Sequence, residues 1–397
     1  MSIAIPRGFR FAGVHCGIKQ DAAREDLSLI VTTAPAVAAG VYTQNLVYAA
    51  PVAVDRRRTP SSSIRVIVTN SGNANACTGE RGERDALEMA RLAATACGAA
   101  PEQALVMSTG IIGHFLPLDK IATGIKAAAA SLAGDPAAFL AAARGITTTD
   151  KSHKVASRLL QVAGGTVTLA GMAKGAGMIG PNMATLLGVV MTDAALTPDA
   201  AQAALTAAVA DSFNCICVEG HTSTNDTVLL LASGASCPQP LAGTDLVQFT
   251  QTLRELCIEL ARQIPDDGEG ATHLITIDVR GCVTRDDARR IAQTIAHSAL
   301  VKTAIAGGDP NWGRIVSAAG YAGVPFDPQR VSLTLNGTLL FERGAPVKFD
   351  AATVSQSIRQ HRETHLELQL SEGDAGIRFW TSDLTVDYVR FNADYHT

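Results

Sequence analysis

An α+β fold is predicted for this chain, and three observations carry the prediction. Short apolar, β-branched runs such as IRVIVTN at 64–70 alternate with amphipathic stretches such as ERDALEMARLAATACG at 83–98. Toward the C-terminus, VSLTLNGTLLF and LELQLSEGDAGIRFWTSDLTVDYVRF alternate residue by residue, the pattern of an antiparallel sheet with one solvated face. At 397 residues the chain exceeds the usual size of one domain, so two or three lobes with sizeable cores are expected. A doubly wound parallel sheet fits these observations less well than α+β.

The run at 64–70 is the first clear strand and 83–98 the first clear helix. A β-type run, TLLGVVM, starts at Thr185. Leu246, Phe249, Leu253, Leu256 and Leu260 recur at helical spacing, with Thr244 as the expected cap and Pro265 marking the exit into the loop PDDGEG. A further helix opens at Thr284, with Asp287 three residues on and Ile291 and Ile295 on one face, a capping-box pattern. The run LVKTAIAG at 300–307 is expected as a strand. No repeat of solenoid period, charge block or Ser/Pro-rich linker divides the chain.

Composition removes several classes of function. A net charge of -4 offers no basic excess to a phosphate backbone, so nucleic acid is not an expected partner. No run approaches 18 consecutive apolar residues, and MSIAIPRGFRFAGV lacks the apolar core of a signal peptide, so a soluble cytoplasmic protein is expected. Eight cysteines are thinly spread; Cys215 and Cys217 form a CxC pair without the second pair or nearby histidines of a structural zinc site. They read as reduced, mostly buried thiols. With the nine histidines scattered as well, no metal and no cofactor are expected.

Residues 174–193, KGAGMIGPNMATLLGVVMTD, carry the chemistry. Gly175, Gly177 and Gly180 satisfy GxGxxG, but a dinucleotide site needs a helix after the third glycine, and here Pro181, Asn182 and then a β-type run follow. The glycines instead permit a tight backbone path into Ala184 and Thr185. Attack of the Thr185 hydroxyl on the Ala184 carbonyl would give an ester that water opens, leaving Thr185 with a free α-amine. That amine, of ordinary pKa roughly 7.7–8.0, can serve as base to its own hydroxyl. The bland alternative is a β-branched residue entering a strand, and position alone does not choose between them.

The segment KGAGMIGPNMATLL resembles the cleavage segment of the ornithine acetyltransferase family, which splits at an Ala-Thr bond. The similarity runs from GFRFAGVHCGIK to the final FNADYHT and includes TNSGNANACTG at 69–79, STGIIG at 108–113 and AIAGGDPNWGRI at 304–315. The resemblance implies a layered α/β sandwich of the type shared with self-processing aminopeptidases, with a smaller C-terminal α/β lobe. It implies cleavage between Ala184 and Thr185 into an α chain, 1–184, and a β chain, 185–397, that remain associated as α2β2.

Carried over motif by motif, Thr109 and Gly110 are expected as an oxyanion hole, supplying a hydroxyl and a backbone N–H to the developing negative charge. Lys174 and Thr148 are expected to contact substrate, Lys174 as a point charge for a carboxylate, with Thr149 the alternative to Thr148. Glu269 is expected to meet the substrate amino group, and Asn392 and Thr397 to reach the substrate from the C-terminus. The implied activity is ping-pong transfer of acetyl from N2-acetylornithine to glutamate through acetyl-Thr185, in arginine biosynthesis, with acetyl-CoA a further donor in some members. A self-processed amidase or aminopeptidase on the same scaffold, or a binding protein that never cleaves, are the alternatives. Glu219, His221 and His273 depart from the family pattern and bear on substrate preference; His15 and Cys16 read as packing variants.

Overall fold

The computed structural model describes residues 3–180 and 186–394. The described residues form two compact units: one from the chain up to Asn214 with His221–Ile264, the other from Cys215–Gly220 with the chain from Pro265 onward. In chain order the elements are β1 (Phe9–Val14), β2 (Leu27–Tyr42), α1 (Ala50–Arg58), β3 (Ser61–Asn73), α2 (Gly79–Ala96), β4 (Ala104–Ile111), α3 (Leu118–Ala130) and α4 (Pro136–Gly145). Then come β5 (Lys154–Val162), β6 (Gly165–Lys174), β7 (Leu187–Ala195), α5 (Pro198–Ala210), β8 (Ile216–Cys217), β9 (Thr227–Pro240) and α6 (Gly243–Asp266). The remainder is β10 (Leu274–Cys282), α7 (Arg285–His297), α8 (Ala299–Ala306), α9 (Trp312–Gly320), β11 (Ser332–Leu335), β12 (Thr338–Glu342), β13 (Ala345–Pro346), α10 (Ala351–Gln360), β14 (Glu363–Gln369), β15 (Ala375–Ser382) and α11 (Val386–Asp394).

The first unit is built on one mixed sheet ordered β4-β3-β2-β9-β7-β6-β5, with β1 also paired to β2. The pairs β3/β4 and β7/β9 are parallel and the others antiparallel. Its central strands are buried on both faces, which is why they read as continuous apolar runs rather than alternating ones. Ile67, Leu105 and Met107 point into a core with Phe11, Phe139 and Ala142. Their neighbours Val66, Val68 and Val106 point into a core with Met89, Ala90 and Ile125. On β6, Gly171 leaves room for Leu256 and Leu260 of α6, because a Cβ there would sit 2.6 Å from Leu260.

The second unit has a seven-stranded sheet ordered β13-β12-β11-β14-β10-β15-β8. Helix α7 packs on β10 and β15 through Ala288, Ile291 and Ile295. The Thr284 hydroxyl caps it by accepting from the Asp287 N–H at 3.1 Å. The layered α+β architecture with a smaller C-terminal α/β lobe is therefore the one found.

Three local expectations need correction. The run at 300–307 is helix α8, not a strand: the Ser298 hydroxyl accepts from the Val301 N–H, and Val301, Ala304 and Ile305 bury one helical face. The C-terminal alternating runs do not form one antiparallel meander, because β10 lies between β14, parallel to it, and β15, antiparallel to it. Alternation fixes which face is buried, not which strand is the neighbour. The end of that stretch is helix α11. Helix α6 begins at Gly243, so Thr244 lies within its first turn rather than at the cap, and Pro265 sits in its last turn.

Candidate functional site

The predicted oxyanion-hole pair stands on β4. Thr109 is buried at 3 % exposure. Gly110 has φ +130°, and a Cβ there would lie 2.3 Å from the Gly72 carbonyl carbon. The close approach of β3 and β4 at this register therefore needs a residue without a side chain. Asn225 fastens the same corner, its Nδ2 donating to the carbonyls of Ala74 (2.6 Å) and Ser108 (2.8 Å).

Lys174 ends β6, where it is 2 % exposed, and its Nζ reaches Thr109 Oγ1 at 3.4 Å. Two residues 65 positions apart, each predicted separately, thus meet inside the first unit. Thr148 lies in the turn before β5 and is joined to the same region through Asp150, a residue the sequence reading passed over. Asp150 Oδ2 accepts from the Thr148 N–H (3.0 Å), and Oδ1 accepts from the Gly175 N–H (2.7 Å) and Lys154 Nζ (2.6 Å). Burial alone would raise the Asp150 pKa, but Lys174, Lys154 and the donated hydrogen bonds hold it well below the usual carboxylate range.

A second overlooked carboxyl is Asp226. It is fully buried, and its Oδ1 accepts from the Leu186 N–H at 3.0 Å, fixing the residue that precedes β7. Its Oδ2 has no hydrogen-bond partner among the described residues. Burial pushes its pKa up to about 8, against the pull of the Leu186 N–H, the Ser223 hydroxyl, Lys174 and the Thr43 hydroxyl. Asn225 and Asp226 follow His221 in the stretch HTSTNDT; a polar run ending where the strongly apolar VLLLA begins was the available signal.

In the second unit, Asn392 on α11 donates from Nδ2 to Glu269 Oε2 at 3.1 Å. The loop before β10 is seated against α11: Thr385 Oγ1 donates to the Gly270 carbonyl at 2.7 Å, and a Cβ on Gly270 would lie 2.4 Å from the Tyr388 nitrogen. Burial, then the charges of Glu219 and Glu269, raises the Tyr388 phenol to about 12. His273 is buried with Nδ1 3.0 Å from Asp383 Oδ2 and Nε2 3.2 Å from the Ile358 carbonyl, so it serves packing rather than a loop surface. His221 is exposed. Ala184, Thr185 and Thr397 lie outside the described residues.

A cluster of Asp278, His365 and Glu367 in the second unit has the composition of a cation site. Arg378 already grips Asp278 with two hydrogen bonds of 2.7 Å, and His365 adds a third at 3.0 Å, so a guanidinium holds the place a metal would need. No disulfide links the eight cysteines, five of which are buried. No helix among the described residues is long and apolar enough to cross a membrane.

A layered α+β protein with a buried lysine–hydroxyl pair, held beside two buried carboxyls, is the class that fold and site define. The ArgJ family model matches residues 10–397, and the chain belongs to that family. It is 48% identical over 399 residues to the arginine biosynthesis bifunctional protein ArgJ of Rhodopirellula baltica, covering all of this chain and 97% of that one. It is 48% identical to the protein of the same name from Symbiobacterium thermophilum, covering all of this chain and 98% of that one. The solved arginine biosynthesis bifunctional protein argJ of Bacillus halodurans superposes with a TM-score of 0.50 at 36% identity, covering 51% of this chain and 96% of the solved one.

Proposed function

We propose that this chain is a self-cleaving acetyltransferase of arginine biosynthesis that moves acetyl from N2-acetylornithine to glutamate through an ester on Thr185. The observation that carries the reading is the buried Lys174–Thr109 contact at 3.4 Å, which brings together the two side chains read as carboxylate-binding cation and oxyanion donor. The shared name of the relatives supports the pathway, and the half-length polypeptide of the B. halodurans structure supports cleavage.

In the first half-reaction the Thr185 α-amine takes the hydroxyl proton and Oγ adds to the acetyl carbonyl. Thr109 and Gly110 donate to the oxyanion, the C–N bond breaks, and the proton passes to the departing ornithine amine. The glutamate amine then attacks the ester, loses its proton and returns Thr185 to the hydroxyl. Lys174 holds the substrate carboxylate, Thr148 makes a further substrate contact, Glu269 meets the amino group, and Asn392 and Thr397 complete the contacts. The α chain, 1–184, and β chain, 185–397, pair as α2β2 in the cytoplasm. The word bifunctional in the relatives' name raises acetyl-CoA as a second donor, which an assay with acetyl-CoA and glutamate alone decides.

The test is the intact mass of the denatured protein, followed by a transfer assay. Two chains, the second beginning at Thr185, with glutamate-dependent release of ornithine, are expected; Thr185→Ala should stay whole and inactive. Acetate release independent of glutamate would turn the reading to an amidase, and a single uncleaved chain without transfer would end it.

A further inference from the structure

Asp150 is 8 % exposed as a residue, and its carboxylate is fully enclosed. It accepts N–H groups from two segments that are far apart in sequence, at Thr148 and at Gly175, and it does so with separate oxygens. One of those N–H groups belongs to the turn that carries Thr148; the other belongs to the residue immediately after Lys174. The Thr148 turn is held from its other side by carbonyl contacts: Lys19 Nζ donates to Thr147 O at 2.8 Å and Arg24 Nη2 to Thr148 O at 2.5 Å. The Thr147 and Thr148 carbonyls and the Thr148 N–H thus fix the path of this turn.

A carboxylate is suited to this task because it accepts along both oxygens at once, and charge-assisted bonds are stronger and shorter than neutral ones. Enclosing it is costly unless cations accompany it, and Lys154 at 2.6 Å and the nearby Lys174 supply them. Two lysines share one ionised carboxylate, and burial favours the neutral form of the other neighbouring carboxyl, Asp226.

We propose that Asp150 is a positioning residue that clamps the Thr148 turn to the Lys174–Gly175 corner and so sets the geometry in which the substrate carboxylate is held. This rests on the reading of Lys174 and Thr148 as substrate contacts. Asp150 acts by placing Lys174, through the Gly175 N–H and the lysine's charge, and is not itself a substrate contact in this proposal.

The experiment compares purified wild type, Lys174→Ala, Asp150→Asn and the double variant, measuring kcat, KM for N2-acetylornithine, and self-cleavage by mass. Asp150→Asn should raise KM at least tenfold with kcat changed less than threefold, and the double variant should match Lys174→Ala rather than multiply the two effects. If Lys174→Ala raises KM and Asp150→Asn does not, or if the two effects multiply, Asp150 is only structural and the proposal falls. If neither variant changes KM, it is the substrate-contact reading of Lys174 that fails, and the proposal with it. Should Asp150→Asn not fold, amide hydrogen exchange on wild type decides: Thr148 and Gly175 amides protected to the same degree support the clamp, and fast exchange at either overturns it.

Discussion

Asp150 and Asp226 are both enclosed in the first unit and both lie in the field of Lys174, yet burial wins at one and loses at the other. Asp150 receives two N–H groups and a lysine on its two oxygens, whereas Asp226 receives the Leu186 N–H on one oxygen and only the weaker pull of the Ser223 and Thr43 hydroxyls, with no lysine bonded to it among the described residues. The consequence is a signed pH dependence. An unfolded Asp titrates near 3.9, roughly, and folded Asp226 near 8, so between those values the folded state binds more protons than the unfolded one. The Asp226 contribution is fully present below about pH 4, is lost progressively as pH rises toward 8, and is flat beyond. Asp226→Asn removes the titration, so its melting temperature relative to wild type should climb steadily from pH 5 to 8. Parallel melting curves for the two proteins across that range would show that Asp226 is ionised when folded.

Among the elements, the contact between β1 and α4 leaves no room for a side chain to intrude. A Cβ on Gly13 would lie 2.0 Å from the Ala141 carbonyl oxygen, so strand and helix backbones touch there directly. Phe11 and Phe139 close the same contact edge to face, with ring centroids 5.1 Å apart. Gly13→Ala should therefore destabilise by about 1–3 kcal/mol, as overpacking does in a closed core, and lower the melting temperature without altering the Thr109 corner. A melting temperature equal to wild type would mean that α4 can shift outward at no cost. Gly110 is constrained in a different way, by φ +130° as well as by space, which is why the predicted oxyanion residue needs to be glycine.

At the scale of the molecule, the sheet order decides what a break at Ala184–Thr185 would do. Strands β7 and β9 lie after the break, and they are bracketed in the sheet by β6 on one side and β2 on the other, both from before it. The two chains would be interleaved through continuous backbone ladders, with no separable boundary. Cleaved protein should therefore elute as a single species from a native sizing column and resolve into two chains only after denaturation. A chain spanning 185–397 expressed alone would expose both edges of the β7–β9 pair, and it should be insoluble. Separation of the chains under native conditions would contradict this arrangement.

Much of this was legible in the sequence, because the decisive signals were local. Apolar periodicity marked β3, α2, α6 and α7, the Thr284–Asp287 spacing marked a cap, and the motif STGIIG marked a corner where Gly110 proves to need its missing side chain. The absence of a helix signal after Gly180 separated the glycine run from a dinucleotide site. Alternation, however, carries no information about strand neighbours, so β10 entering between β14 and β15 could not be read, and the apolar run of α8 looked like a strand until its burial face was visible. Asp150 and Asp226 were invisible for a similar reason. In the sequence they are two acids among 37 acidic residues, and only tertiary structure encloses them, brings backbone N–H groups from distant segments to their oxygens, and shifts one pKa down and the other up beside Lys174.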